Sequence, residues 1–322
     1  MRSNKVLQRS KTRFDSPMDI APPYWLSDAA RMTEPLIQHV SDTAFLVAEA
    51  RARESERTEA LFRDPLARRL SGDKGRTIAT SFPPMTEWNV IMRTLVIDAF
   101  VQHAIAAGFR TVVNLGAGLD TRPYRLDLPS DLHWVEVDYP DVVAYKEQHL
   151  ATERPRCRLT REGLDLSITE QRRGLLARLA SASARILVLT EGVIPYLTED
   201  QVGTLADNLN ATPQVAAWIV DYLSPESHAY RDRRVGKRMA RAQFQFRPAD
   251  WYGFFAQHGW QVRDLHYLAD EGQRVGRRPP LPFMARLIMK TLGRLAPPER
   301  RDTFRKFSGY AWMEKGVALA QP

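Results

Sequence analysis

The sequence predicts an α/β protein with a doubly wound, seven-stranded, mostly parallel sheet, a helical N-terminal extension and a lid-like insertion late in the chain. Three observations predict this. From Thr111 onward, short β-branched runs alternate with helical stretches, the pattern of a parallel sheet covered on both faces. The first run leads straight into the glycines of GAG, Gly116 to Gly118. The chain has 322 residues, 44% of them apolar, enough for one large core or a domain with a substantial appendage.

The elements follow in order. Residues 1–85 read as the extension, with Tyr24 and Trp25 as exposed-looking aromatics. Within it, SDTAFLVAEARARESERTEALFRDPLARRL from Ser41 predicts helix, interrupted before Pro65. Pro83 and Pro84 mark a loop. An amphipathic helix then spans Glu87 to Ala107, where Val90, Ile91, Leu95, Phe100 and Ile105 recur every three to four residues and Gly108 stops it. Seven strands are predicted in the main domain, residues 86–322. They run Thr111–Leu115, Leu132–Val137, Arg158–Thr160, Arg185–Thr190, Val215–Tyr222, Trp260–Leu268 and Gly309–Glu314. Ser224 to Arg247 interrupts the alternation as an insertion carrying Tyr230, Phe244 and Phe246. Extension and insertion are placed to form a lid over the strand ends, or to fill a small helical layer.

Composition excludes several classes. A lone cysteine, Cys157, rules out an internal disulfide framework and zinc sites built on several thiolates, and no metal is expected. The N-terminus has basic residues but no apolar run of the signal-peptide kind, and no stretch reaches the roughly 20 apolar residues of a membrane span. A cytoplasmic enzyme without membrane partners is the expectation. The net charge of +8 comes mostly from scattered arginines, only eight of the 46 basic residues being lysines, with local excesses at Arg231–Arg241 and Arg274–Arg305. Without an RNA-module motif or an aromatic-basic ladder, this reads as a solvated surface rather than a nucleic-acid site.

The chemistry concentrates at strand ends. Gly116, Ala117 and Gly118 let backbone approach a ligand with no Cβ between. A dinucleotide fingerprint places a third Gly or Ala where Thr121 stands, followed by Arg122 and Pro123, which favours a cofactor without phosphates. About 20 residues on, Asp138 closes the second strand, where a carboxylate accepts hydrogen bonds from ribose hydroxyls. Its alternative role is to cap the helix of YPDVVAYKEQHL, a role Asp141 could also fill. Asp165, with Leu166 beside it, could meet an adenine ring, although Asp in a loop is usually a turn residue. Glu191 leaves the apolar strand ILVLT at the cleft edge, a functional position for a carboxylate.

TAFLVAEARARES, FRDPLA, IMRTLVID, VVNLGAGLDTRPYRL, VEVDYPDVVAYK, LDL and TEGVIPYL occur here in that order. Together they resemble the leucine carboxyl methyltransferase family of S-adenosyl-L-methionine-dependent methyltransferases. The resemblance runs from Ser41 to Leu197 and thins to the terminal GYAWMEKG. It implies the class I methyltransferase, Rossmann-like version of the fold and S-adenosyl-L-methionine as cofactor. It also implies that Arg93 meets the methionine carboxylate and that Gly116, Ala117 and Gly118 lie against the cofactor. Asp138, with Tyr139 beside it, takes the ribose, Asp165 and Leu166 the adenine, and Glu191 the methionine amino group. Arg51 is implied as a second carboxylate contact, a role its planar fork suits. The extension and insertion depart from the eukaryotic phosphatase methylators of the family. The likeness is closer to its bacterial branch, which includes methylators of aromatic polyketide carboxyl groups.

Methyl transfer is an in-line displacement that depends on alignment and exclusion of water. A carboxylate acceptor is already ionised at pH 7, whereas a phenol or alcohol needs a base, usually His. None of the seven histidines falls in a family motif, so a carboxylate of a small acid, such as an aromatic polyketide or other natural product, is the expected acceptor. Tyr196, with arginines of the insertion, and His228 are the substrate-orienting candidates. The competing readings are a hydroxyl O-methyltransferase, an NAD(P)-dependent oxidoreductase and a non-enzymatic binder.

Overall fold

A computed structural model describes residues 37–281, 302–303 and 305–316. Tyr24, Trp25 and much of the Arg274–Arg305 basic stretch lie outside the described residues. Seven strands are present: β1 (Thr111–Leu115), β2 (His133–Asp138), β3 (Arg158–Gly163), β4 (Ile186–Thr190), β5 (Val215–Leu223), β6 (Trp260–Tyr267) and β7 (Ser308–Lys315). They form a single sheet in the order β3-β2-β1-β4-β5-β7-β6. β1 to β5 pair in parallel, while β7 runs antiparallel to both β5 and β6. The order reverses between β1 and β4, creating a crevice beyond their carboxyl ends.

β1 and β4 are buried at every position, as expected for central strands covered on both faces. On one face α3 (Pro84–Ala106) lays Met92, Val96, Phe100 and Ala104 against Val112, Trp134, Leu187 and Ile219. On the other, α6 (Thr169–Ala182), α7 (Glu199–Asn210) and α9 (Trp251–Gln257) cover Val113, Val135, Val188 and Trp218. Connections at the cavity end include α4 (Arg122–Arg125) and α5 (Pro140–Leu150). Neither Asp138 nor Asp141 caps α5, whose N-cap is Tyr139 with no side-chain cap hydrogen bond.

β3 continues three residues past the predicted Thr160. Arg161, Glu162 and Gly163 pair with Glu136, Val137 and Asp138, and no apolar run announces them. The polar residues are tolerated because Glu136, 1% exposed, is held by the Lys146 ammonium at 2.8 Å and by Arg161 Nε at 2.9 Å. Lys146→Met removes one counter-charge from this buried carboxylate, and urea unfolding should show a loss of about 3 kcal/mol.

The helix predicted from Ser41 up to Pro65 ends well before it. α1 covers Asp42–Ser55, and α2 (Ala67–Thr80) resumes after a loop. Ser55 stops α1: its hydroxyl donates to the Arg51 carbonyl and accepts from the Asp64 N–H, drawing the chain out of helix. α1 and α2 belong to the same compact unit as the sheet, Leu36–Pro322. The insertion contains α8 (Pro225–Val235). Val235, Met239 and Ala242 of that segment join Ile37, Leu46 and Ile78 in a small separate core. Among the described residues no helix is long and apolar enough to cross a membrane.

Candidate active site

The carboxyl ends of β1, β2, β4 and β5 open into a cavity of about 500 Å³, within the size range of small-ligand sites. Gly116 turns the chain out of β1 with φ +69°, its N–H donating to the Val137 carbonyl at 2.8 Å. A Cβ placed on it would stand 2.3 Å from Val193 Cγ2, so only glycine fits. Gly118 donates its N–H to Asp138 Oδ2 at 2.6 Å, and the Tyr139 N–H donates to Asp138 Oδ1 at 2.8 Å. Burial raises the Asp138 pKa above the ordinary aspartate value against the pull of those two N–H groups.

Glu191, at the end of β4, stands between two guanidiniums. Arg93 Nε of α3 lies 2.8 Å from Oε1, and Arg122 Nη1 donates to Oε2 at 2.7 Å. The Arg93 contact is an ion pair without hydrogen-bond alignment, leaving Arg93 Nε and Glu191 Oε1 as buried polar atoms without a hydrogen-bond partner among the described residues. Burial opposes ionisation of Glu191, but Arg122 and Arg93 outweigh it and hold its pKa below the usual range. Arg51 is committed nearby: Nε donates to Asp64 at 2.9 Å and Nη2 to the Leu119 carbonyl at 2.6 Å.

The opposite wall is aromatic and cationic. Tyr196 meets Phe244 edge-on at 4.9 Å, and the Arg231 guanidinium lies 3.8 Å from the Phe244 ring centroid. At the end of β5, Asp221 Oδ1 accepts from the Tyr310 hydroxyl at 2.5 Å, and both its oxygens receive the Gly192 N–H. Burial pushes the Asp221 pKa up to about 6.

Of the residues singled out by sequence, Gly116, Ala117, Gly118, Asp138 and Tyr139 line the cavity. So do Arg51, Arg93, Leu166, Glu191 and Tyr196. Asp165 and His228 are not in the wall. Asp165 Oδ1 accepts the Ser167 N–H at 2.8 Å, closing a turn. The His228 ring packs edge-on behind Phe244 at 6.3 Å. Burial, helped by Arg247 and Arg231, lowers the His228 pKa to about 4, so it is neutral at pH 7.

A family model described as leucine carboxyl methyltransferase matches residues 44–210, the stretch that carries Arg93, the glycine turn, Asp138 and Glu191. The chain belongs to the leucine carboxyl methyltransferase family. A Frankia alni protein named as an S-adenosyl-L-methionine-dependent methyltransferase is 30% identical over 266 residues, covering 78% of this chain and 92% of its own. A Streptomyces avermitilis protein of the same designation is 32% identical over 251 residues, covering 73% and 87%. Two solved structures share the fold at 14% identity. One, titled a methyltransferase from Thermobifida fusca, has a TM-score of 0.54 over 92% of this chain and all of its own. The other, a DUF574-family protein from Streptomyces avermitilis, has a TM-score of 0.52 over 84% and 97%.

The protein is thus an S-adenosyl-L-methionine-dependent methyltransferase with a class I, Rossmann-like fold. In this methyltransferase, sequence reasoning passed over three wall or near-wall residues. Asp221 follows the same rule as Glu191, a carboxylate closing a buried strand, and was findable on that ground. Arg122 entered only as a residue a dinucleotide loop would lack, and Arg231 only as one of many arginines in the insertion.

Proposed function

We propose that this methyltransferase transfers its methyl group to a carboxylate oxygen of a small organic acid, forming a methyl ester. The observation that carries the reading is Arg231. It lines the cavity beside Tyr196, with no carboxylate among the described residues in ion-pair contact with its guanidinium. Burial lowers its pKa, whereas Arg93 is raised by Tyr310, Glu191 and Asp221 and Arg122 by Asp120, Glu191 and Asp98. A desolvated, unpaired cation on a cavity wall calls for an anion.

The cofactor half fits S-adenosyl-L-methionine. Gly116 brings bare backbone to the cavity wall, and the unaligned Arg93–Glu191 pair offers one cation and one anion to an amino-acid zwitterion. When bound, the cofactor supplies a methyl carbon on a positively charged sulfur. Arg93 holds the methionine carboxylate and Glu191 the ammonium. Asp138 accepts from the ribose, while Tyr139, Leu164 and Leu166 bound the adenine side. Arg231 and Tyr196 orient the acceptor carboxylate, which needs no base at pH 7. Walls drawn from both residues 37–85 and 224–247, including Val40, Phe82 and Phe244, exclude water in the manner of a lid.

Arg231→Met should raise the acceptor KM by about 30-fold, the loss of one charged hydrogen-bonding partner, and leave S-adenosylhomocysteine affinity unchanged. Tyr196→Phe should do the same to a smaller extent. Equal loss of cofactor and acceptor binding in both variants overturns the assignment. The reaction itself is tested by supplying labelled S-adenosylmethionine with matched acids and phenols, since label released by mild base marks an ester.

A second reading, methylation of a hydroxyl, is favoured by Asp221. A carboxylate of pKa about 6 on the wall is suited to accept a hydroxyl proton. In that case turnover rises with pH through about 6, Asp221→Asn abolishes it, and the product label is stable to base.

A further inference from the structure

Behind the cofactor end of the cavity lies a buried network of charge. Arg51, Arg93, Arg122 and Arg125 face Asp64, Asp98, Asp120 and Glu191, four cations against four anions. Arg122, 1% exposed, is the hub. Its Nε donates to Asp98 Oδ1 of α3 at 2.7 Å, and its Nη1 donates to Asp120 Oδ2 at 3.0 Å and to Glu191 Oε2 at 2.7 Å. Asp98 is fixed in turn by Arg125 at 2.6 Å, and Asp120 by the Asn114 amide at 2.9 Å. One guanidinium therefore ties α3, the turn after β1 and the end of β4 together. It is not itself in the cavity wall, so any effect on the cofactor passes through Glu191.

We propose that Arg122 is a positioning residue for methyl transfer: from behind the wall it sets the orientation of the Glu191 carboxylate and keeps it an anion toward the cofactor ammonium. This rests on the reading of Glu191 as the residue that holds the amino group. The groups facing Glu191 are Arg93 from α3, Arg122 from α4, Asp120 from the turn after β1 and Arg51 from α1. Asp221 of β5 and Tyr310 of β7 act on it from the far side. Without Arg122, only Arg93 and the more weakly acting Arg51 oppose Asp120, Asp221 and the cost of burial, so the neutral acid should gain ground as pH falls. Oε2 also loses its only hydrogen bond among the described residues and is free to rotate away.

The test is calorimetric titration of S-adenosylhomocysteine into wild type, Arg122→Met, Glu191→Gln and the double variant from pH 5.5 to 8, with circular dichroism confirming the fold. The ratio of the Arg122→Met Kd to the wild-type Kd should grow at least tenfold between pH 8 and pH 5.5. The same ratio measured in the Glu191→Gln background should stay constant, because the titrating group is gone. A pH-independent ratio in the wild-type background, at any absolute affinity, overturns the proposal, since a merely structural role weakens binding uniformly. Should Arg122→Met not fold, Arg122→Lys keeps the charge without the fork. It should weaken binding about tenfold, and wild-type affinity in that variant overturns the proposal equally. Wild-type affinity in Glu191→Gln removes the reading of Glu191 itself, an outcome separate from either.

Discussion

Asp138→Ala should abolish S-adenosylhomocysteine binding in a protein that remains folded. Both Asp138 oxygens already accept a backbone N–H, from Gly118 and from Tyr139, and each keeps a lone pair for the cavity. Two ribose hydroxyls on a carboxylate are worth about 1.5–3 kcal/mol apiece, so removal costs about 3–6 kcal/mol, roughly 100- to 10,000-fold in Kd. Alanine also leaves the Gly118 N–H without its acceptor and loosens the turn that shapes the site. Protonation should mimic the substitution in part. Because burial raises the Asp138 pKa, cofactor affinity should fall on acidification at a higher pH than that of an ordinary aspartate, about 3.9. Calorimetric titration checks both effects, and binding within tenfold of wild type in the alanine variant would exclude Asp138 from ribose recognition.

Gly116→Ala should be strongly destabilising. Two costs coincide there. A non-glycine residue at φ +69° costs about 1–2 kcal/mol, and the new Cβ, 2.3 Å from Val193 Cγ2, adds about 1–3 kcal/mol of overpacking. Val193 has little room to yield, since it leads into the 3₁₀ turn Ile194–Tyr196 in the cavity wall. Urea unfolding should show a loss of about 2–5 kcal/mol, with cofactor and acceptor affinities both reduced. Gly108→Ala is the control: φ is +86° but nothing lies within 4 Å of the added Cβ, so only the backbone cost remains. Adding Val193→Ala to Gly116→Ala should recover the steric part and leave the two glycine variants comparable.

These two sites were the most legible in the sequence, and the reason is local. A buried strand followed by glycine, and an acid closing the next strand, are patterns within a few consecutive residues, and backbone geometry obliges them to meet at one crevice. The seven strands were legible for the same reason, through β-branched runs and alternation. The reading failed where a tertiary partner replaced the local signal. β3 outran its apolar run because Glu136 supplied a charge for Arg161, and α1 ended early because the Ser55 hydroxyl competed for backbone groups. Asp165 was read as either an adenine contact or a turn residue, and its carboxylate accepts the Ser167 N–H.

By itself, then, the sequence determined the sheet, the glycine turn and the presence of Asp138, Glu191 and Arg93 at the strand-end cavity, because each is written into short-range pattern. Only the tertiary structure decided which of 46 basic residues matter. Arg122 became the hub of a charge network because Asp98, Asp120 and Glu191, 24, 2 and 69 positions away, converge on it in a space closed to water. Arg231 lines the cavity because α8 sets its guanidinium against Phe244, with no ion-pair partner among the described residues. Burial and partnership give an arginine its role, and both are properties of the folded surroundings that no spacing along the chain encodes.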